Sequence, residues 1–288
     1  MMTLEIMKEH INRIVKDALT EDLGDQGDVT SQSIFCDSDN ASAVIRSKGN
    51  GILSGTYLIE PILTFLQSSV SIELLCKDGC VLEPGTIIAR LNGPVRDILA
   101  AERTILNFLQ RLSGIATATS KYTAAIAHTS TRLLDTRKTT PGLRYLEKLA
   151  VVHGGGHNHR IGLFDMILIK DTHVKRSGGV APALQRAVDF RTRKNLGIKI
   201  EVEVQSIDEF KTAIEYRPDR IMLDNMTVEQ MRECVHIVKD KAPGIEIEAS
   251  GNITLSSIVA VAETGVDFIS SGSITHSAPS LDIHLLIT

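Results

Sequence analysis

The sequence predicts an α/β protein in which a small sheet-rich domain precedes a run of repeated β–α units, arranged as a parallel barrel or an open parallel sheet. Three observations carry this. Hydrophobicity alternates with a period of mostly two from Ala41 to Leu91. Beyond residue 130, short β-rich runs alternate with amphipathic helical stretches. The 288 residues suffice for one large or two modest domains.

The first domain is read from Ala43-Val44-Ile45-Arg46, Ser71-Ile72-Glu73-Leu74-Leu75 and Thr86-Ile87-Ile88-Ala89-Arg90-Leu91, with Asp78-Gly79 and Pro84-Gly85 as turns. Asp97 is placed to N-cap a long helix whose apolar residues Ile98, Ile105, Leu109 and Leu112 share one face, ending near Ser113-Gly114. Strands are expected at Arg132 to Asp135, Asp165 to Ile169, Ile198 to Val204, Arg220 to Asp224, Ile245 to Ser250 and Val266 to Ser270. Helices are expected at Ala181 to Asn195, Ser206 to Tyr216, Thr227 to Lys241 and Thr254 to Thr264. Another should begin at Thr139-Thr140-Pro141, with a Thr cap and Pro in its first turn, and stop at Gly154.

Composition narrows the function classes. At 43% hydrophobic and 23% charged residues, the chain is too apolar for a disordered one, and no apolar run reaches a membrane span. The formal charge of −4 supplies no basic field for nucleic acid or anionic lipid, so an anion site must be a local cluster. Four scattered cysteines form no disulfide framework and suit a reducing compartment. The leading segment from Met1 to His10 lacks the uninterrupted apolar stretch of a signal peptide, and a cytoplasmic protein is expected.

Parallel β/α folds place chemistry at the C-terminal ends of their strands, and those ends are unusually polar here. Arg137, Lys138, Arg160 and Lys170 would converge on one rim, as a polyanionic substrate requires, although any one of them could simply reach solvent. Gly154-Gly155-Gly156 leads into His157-Asn158-His159-Arg160, where backbone can approach a ligand closely; His153 and His157 need only line that loop. In Ile200-Glu201-Val202-Glu203-Val204 both carboxylates share one face. Glu203, nearer the strand end, is assigned with Asp224 to ribose hydroxyls or a magnesium ion (Mg2+), and Glu201 to a buried pairing with a lysine. Ser250-Gly251-Asn252 and Ser271-Gly272-Ser273 each follow a strand and can offer N–H groups and hydroxyls to one phosphate.

These motifs resemble the quinolinate phosphoribosyltransferase family, the carboxylating nicotinate-nucleotide pyrophosphorylases of NAD synthesis. The resemblance runs almost end to end, from Glu21-Asp22-Leu23-Gly24 and Gly27-Asp28-Val29-Thr30 through Ala101-Glu102-Arg103-Thr104-Ile105-Leu106-Asn107 and Ser113-Gly114-Ile115-Ala116-Thr117. Its most specific stretch is Asp135-Thr136-Arg137-Lys138-Thr139-Thr140-Pro141-Gly142-Leu143-Arg144, followed by Asn158-His159-Arg160, Leu223-Asp224-Asn225, Ser250-Gly251 and Thr275-His276-Ser277.

The resemblance implies an incomplete, open parallel β/α barrel spanning 116–276 and an N-terminal α/β sandwich domain spanning 1–115, completed by the tail 277–288. It also implies a homodimer with shared active sites that converts quinolinate and phosphoribosyl pyrophosphate to nicotinate mononucleotide, carbon dioxide and pyrophosphate. By motif, Arg103 from the partner, Arg137, His159 and Arg160 would hold the quinolinate carboxylates. Lys138 and Lys170 would face carboxylate and pyrophosphate. Glu203 and Asp224 would serve the ribose and magnesium, and Ser250 and Gly272 the phosphate. Thr172, Asn252 and Gln205 depart from the usual pattern. They admit the pyrophosphorylase-like paralogue associated with molybdenum transport, while a Schiff-base barrel aldolase using Lys170 is a rival from another class.

Overall fold

A computed structural model describes residues 4–288. The first three residues of the leading segment, read above for a signal peptide, lie outside the described residues. The chain divides into two compact units: one holds the residues up to Ser120 with Thr140–Gly155 and Ser277–Thr288, the other Lys121–Thr139 and Gly156–His276. The sequence reading places 1–115 and the tail 277–288 in one domain and 116–276 in the barrel, so it gives the segment 140–155 to the barrel.

The first unit is built on an antiparallel sheet. Strands β1 (Asn40–Ser47), β2 (Gly51–Ile52), β3 (Ser71–Leu74), β4 (Val81–Leu82) and β5 (Ile87–Pro94) occur in the period-two region. β1 lies between β5 and the tail strand Ile283–Ile287, β3 flanks β5, and β2 pairs with β4. Helices α1 (Leu4–Leu23), α2 (Val29–Ile34), α3 (Ile59–Phe65), α4 (Val95–Ala125) and α5 (Arg144–His153) complete the set. The face of α4 read from the sequence, Ile98, Ile105, Leu109 and Leu112, is buried.

Two expectations fail at the ends of α4. Asp97 lies inside the first turn, where it accepts the Ser68 hydroxyl at 2.7 Å, rather than capping it. Gly114 does not stop the helix. A Cβ there would lie 2.1 Å from the Pro279 carbonyl oxygen, so this glycine admits the tail against the helix. The α5 start is also later than predicted. Thr140 spends its N–H and hydroxyl on the Glu147 carboxylate, at 3.1 and 2.7 Å, and Gly142 turns at φ +83° before the helix begins.

The second unit holds β6 (Arg132–Leu134), β7 (Met166–Ile169), β8 (Lys199–Val204), β9 (Arg220–Asp224), β10 (Glu246–Ser250) and β11 (Phe268–Ser270). All pair in parallel, in the order β6-β11-β10-β9-β8-β7, leaving β6 and β7 as outer strands of an open barrel. Between them run α6 (Asp171–Ser177), α7 (Val180–Arg193), α8 (Ile207–Glu215), α9 (Val228–Lys241), α10 (Ile258–Ala262) and α11 (Ser273–His276). Local chemistry sets the starts. Ser206 caps α8 through the Glu209 N–H at 3.2 Å, and Thr227 with Gln230 forms a capping box on α9. The helix expected from Thr254 begins only at Ile258, because hydrogen bonds among Thr254, Ser256 and Ser257 make a turn first.

Among the described residues no helix is long and apolar enough to cross a membrane, and all four cysteines are free thiols.

Candidate active site

Because the six strands run the same way, their C-terminal ends share one edge, and there the second unit encloses a cavity of about 820 Å³. Thr136, Arg137 and Lys138 follow β6; His159 and Arg160 come from the loop before β7, whose end contributes Leu168 and Lys170. Glu203 projects from β8, and Met222, Asp224 and Asn225 from β9. Ser250, Gly251 and Asn252 follow β10, while Ser270, Ser271, Gly272, Ser273 and His276 close the circuit after β11. The structure thus gathers every candidate assigned to the strand ends. Arg103 is exposed on α4 of the first unit and is not among the residues lining this cavity. His153 also belongs to the first unit, where it bonds Ser54 at 2.8 Å.

Cations occupy one part of the wall. Burial, and then the neighbouring Arg137, disfavour charge on Arg160 and lower its pKa. Arg160 is tethered to the Met166 carbonyl at 3.2 Å, and its loop is folded by Asp165, which accepts the N–H groups of Ile161 and Gly162 at 2.8 and 2.9 Å. The buried Nε of Arg137 has no hydrogen-bond partner. Two neighbouring guanidiniums lining one cavity are suited to an incoming dianion.

Acids and small groups line the rest. Glu203 meets the Lys170 ammonium at 3.0 Å, and Asp224 accepts the Gln205 amide at 3.1 Å. These carboxylates on neighbouring strands offer hard oxygen ligands to one cavity and so fit a magnesium ion. At Gly251, with φ +94°, a Cβ would lie 2.3 Å from Asn225 Oδ1; Asn252 donates to that same oxygen at 3.1 Å. At Gly272 a Cβ would meet Lys138 at 2.7 Å and His276 at 3.1 Å, so the glycine lets these two side chains pack against the backbone at the cavity wall.

Below lies a charged layer that the sequence reading only partly found. Glu201 pairs with His159 Nε2 at 3.0 Å rather than with a lysine. Glu248 lies 3.3 Å from the same nitrogen and 2.9 Å from Arg220 Nη1. Burial, and next the Glu248 charge, push Glu201 up to about 7. Burial opposes charge on His159, but Glu201 and Glu248 outweigh it and raise its pKa to about 10. That high affinity for protons meets a geometric limit: Nδ1 accepts the Arg160 N–H at 2.7 Å and must keep its lone pair. The geometry therefore places the ring proton on Nε2, facing the carboxylates. Glu248 could have been found from Glu246-Ile247-Glu248-Ala249-Ser250, which alternates as strictly as the β8 run. His276 belongs to the Thr275-His276-Ser277 motif quoted above, to which the sequence reading assigns no site role.

Comparison with known proteins decides the family. Models described as quinolinate phosphoribosyl transferase, N-terminal domain and C-terminal domain, match residues 28–113 and 115–286. The chain belongs to the quinolinate phosphoribosyl transferase family. Among its relatives, the chloroplastic nicotinate-nucleotide pyrophosphorylase [carboxylating] of Arabidopsis thaliana is 39% identical over 96% of this chain and 82% of its own. Quinolinate phosphoribosyltransferase [decarboxylating] 1b of Nicotiana tabacum is 40% identical over 95% of this chain and 81% of its own. The solved nicotinate-nucleotide pyrophosphorylase of Francisella tularensis, 40% identical, covers 97% of this chain and 96% of its own with a TM-score of 0.90. Within the quinolinate phosphoribosyl transferase family, the departures at this cavity are local. Gln205 and Asn252 bond Asp224 and Asn225, and Thr172 lies exposed in the first turn of α6.

Proposed function

We propose that the chain is a quinolinate phosphoribosyltransferase, transferring the phosphoribosyl group of phosphoribosyl pyrophosphate to quinolinate with loss of carbon dioxide. Family membership supports the activity, and one observation carries the substrate: Arg137 and Arg160 are neighbours in the cavity that Glu203 and Asp224 also line. The cationic pair takes the two pyridine carboxylates. The acids belong where the sugar becomes electron-poor.

The bond from ribose C1 to pyrophosphate breaks with its electron pair leaving on oxygen, and the pyridine nitrogen lone pair forms the new bond to C1. Positive charge gathers on the sugar and negative charge on the leaving group, so fixed acids near one and cations near the other favour the transition state. The ring, now cationic, accepts the electron pair of the adjacent carbon–carboxylate bond as carbon dioxide departs, and a proton takes the vacated position. Lys138 and Lys170 are assigned to the pyrophosphate and carboxylate anions. Ser250, Gly251, Asn252, Ser271 and Gly272 are assigned to the 5′-phosphate. Glu203 and Asp224 would hold Mg2+, which supplies charge neutralisation to the pyrophosphate when bound. No step calls for a protein nucleophile, and Lys170, paired to Glu203, is not poised as the free amine of an aldolase.

We further place the working enzyme in a homodimer, in which the partner's Arg103 completes each cavity, and in the cytoplasm, whose reducing conditions suit four free thiols. Incubation with quinolinate, phosphoribosyl pyrophosphate and magnesium should yield nicotinate mononucleotide, carbon dioxide and pyrophosphate in equal amounts. Equal or faster turnover of nicotinate, which lacks the second carboxylate, would defeat the assignment.

A further inference from the structure

The reaction as described makes no use of the charge buried beneath the cavity. Glu201 and Glu248 are fully buried, on β8 and β10, and His159 Nε2 faces both at 3.0 and 3.3 Å. Arg220 from β9 donates to Glu248 at 2.9 Å, and its guanidinium lies 4.0 Å from the centre of the Phe268 ring of β11. On the upper side, His159 Nδ1 accepts the Arg160 N–H at 2.7 Å, and the buried Asp135 carboxylate accepts the N–H of His159 itself at 2.8 Å. The imidazole therefore meets β8 and β10, while the backbone of His159 is tied to the end of β6.

Apolar side chains of similar volume could fill such a layer without the cost of burying two carboxylates and a guanidinium. What apolar side chains could not do is grip a backbone amide. The amide gripped here is the one from which the Arg160 side chain departs into the cavity, where Arg137 repels it. Each ring nitrogen of His159 lies within 3.3 Å of a protein group, Nδ1 at the Arg160 N–H and Nε2 at the two carboxylates.

We infer that Glu201 and Glu248 are positioning residues for quinolinate binding, acting through a neutral, Nε2-protonated His159 that fixes the Arg160 backbone and does not itself bind substrate through a ring nitrogen. This rests on the functional reading given above and reassigns one residue within it. It also gives a reason for the Asn158-His159-Arg160 motif: the histidine sets the arginine.

Nitrogen-15 resonances of labelled histidine test the inference in the wild-type protein, with His159 assigned by its absence in His159→Gln. In the ligand-free protein Nδ1 should appear as a bare acceptor and Nε2 as protonated. A protonated Nδ1 overturns the inference whether or not quinolinate binds. On saturation with quinolinate, confirmed by calorimetry, neither nitrogen should change its protonation or bonding state; a large shift at either would make His159 a substrate ligand and overturn it.

Kinetics supply the second arm. His159→Ala and Glu248→Ala should each raise KM for quinolinate about a hundredfold, the scale expected of a displaced binding group, with a smaller effect on kcat. The double variant should be no worse than the weaker single one, since the residues act as a unit, and Glu248→Gln should recover most of the loss. Multiplying losses would show independent roles and defeat the inference. If the wild-type protein neither binds quinolinate nor forms product, it is the functional reading that fails.

Discussion

Arg137 and Lys170 carry charge into a cavity and contribute little to any apolar core, so their removal separates binding from folding. Arg137→Ala and Lys170→Ala should each lower kcat/KM at least a hundredfold while the melting temperature stays within a few degrees of wild type, as steady-state kinetics and calorimetry would show. Gly251 behaves oppositely, because its role is to have no side chain. Gly251→Ala would force a methyl group to within 2.3 Å of Asn225 Oδ1 in a backbone conformation with φ +94°. We expect at least a tenfold rise in KM for phosphoribosyl pyrophosphate and a stability loss of about 1–3 kcal/mol. Legibility in the sequence followed the same division. Strand-end charges stand out because charge there has no packing reason. The pairing of His159 did not: Glu201 read as a buried acid with a lysine partner, and Glu248 is separated from His159 by 89 positions, so only the pairing of β8, β9 and β10 brings them together.

At the scale of elements, period and caps located most of the strands and helices, whereas glycine was ambiguous. Gly114 read as a stop, yet the helix continues because the residue serves a contact made by a segment over 160 positions later. Gly114→Ala should therefore displace the tail and destabilise the first unit by about 1–3 kcal/mol or more, despite alanine's better helix propensity; a gain in stability would refute the close-approach reading. The short helix α2 depends on Asp28, which accepts the N–H groups of Thr30 and Ser31 at 3.1 and 3.0 Å. The Ser31 hydroxyl, and next its N–H, hold the Asp28 carboxyl below its usual range. A depressed folded-state pKa means stability present above the ordinary carboxylate value and lost as pH falls through the folded value. Asp28→Ala should cost about 1 kcal/mol near neutral pH, and the deficit against wild type should shrink below about pH 4 in urea titrations.

Taken as a whole molecule, the proposed dimer has a quantitative signature. Arg103→Ala and Glu203→Ala should each be nearly inactive. If the partner's Arg103 completes the cavity, a mixed dimer holds one pocket with both native residues and one with both lesions. Random reassortment makes about half the dimers mixed, so about a quarter of wild-type activity should return. No recovery, with subunit exchange verified, would assign Arg103 to its own chain or to no site at all.

The pairing of β1 with the strand Ile283–Ile287 also bears on how the protein is made. Their register joins Ala43 to Ile287 and Ser47 to Ile283, so an edge of the first sheet stays open on the ribosome through more than two hundred residues of synthesis. The first unit, although begun before the second, is finished after it, and β1 presents unsatisfied backbone groups until Ile283–Ile287 has emerged. A nascent chain of this kind has reason to need a chaperone at that edge, and ribosome stalling between β11 and the tail would release a finished barrel beside an unclosed sheet.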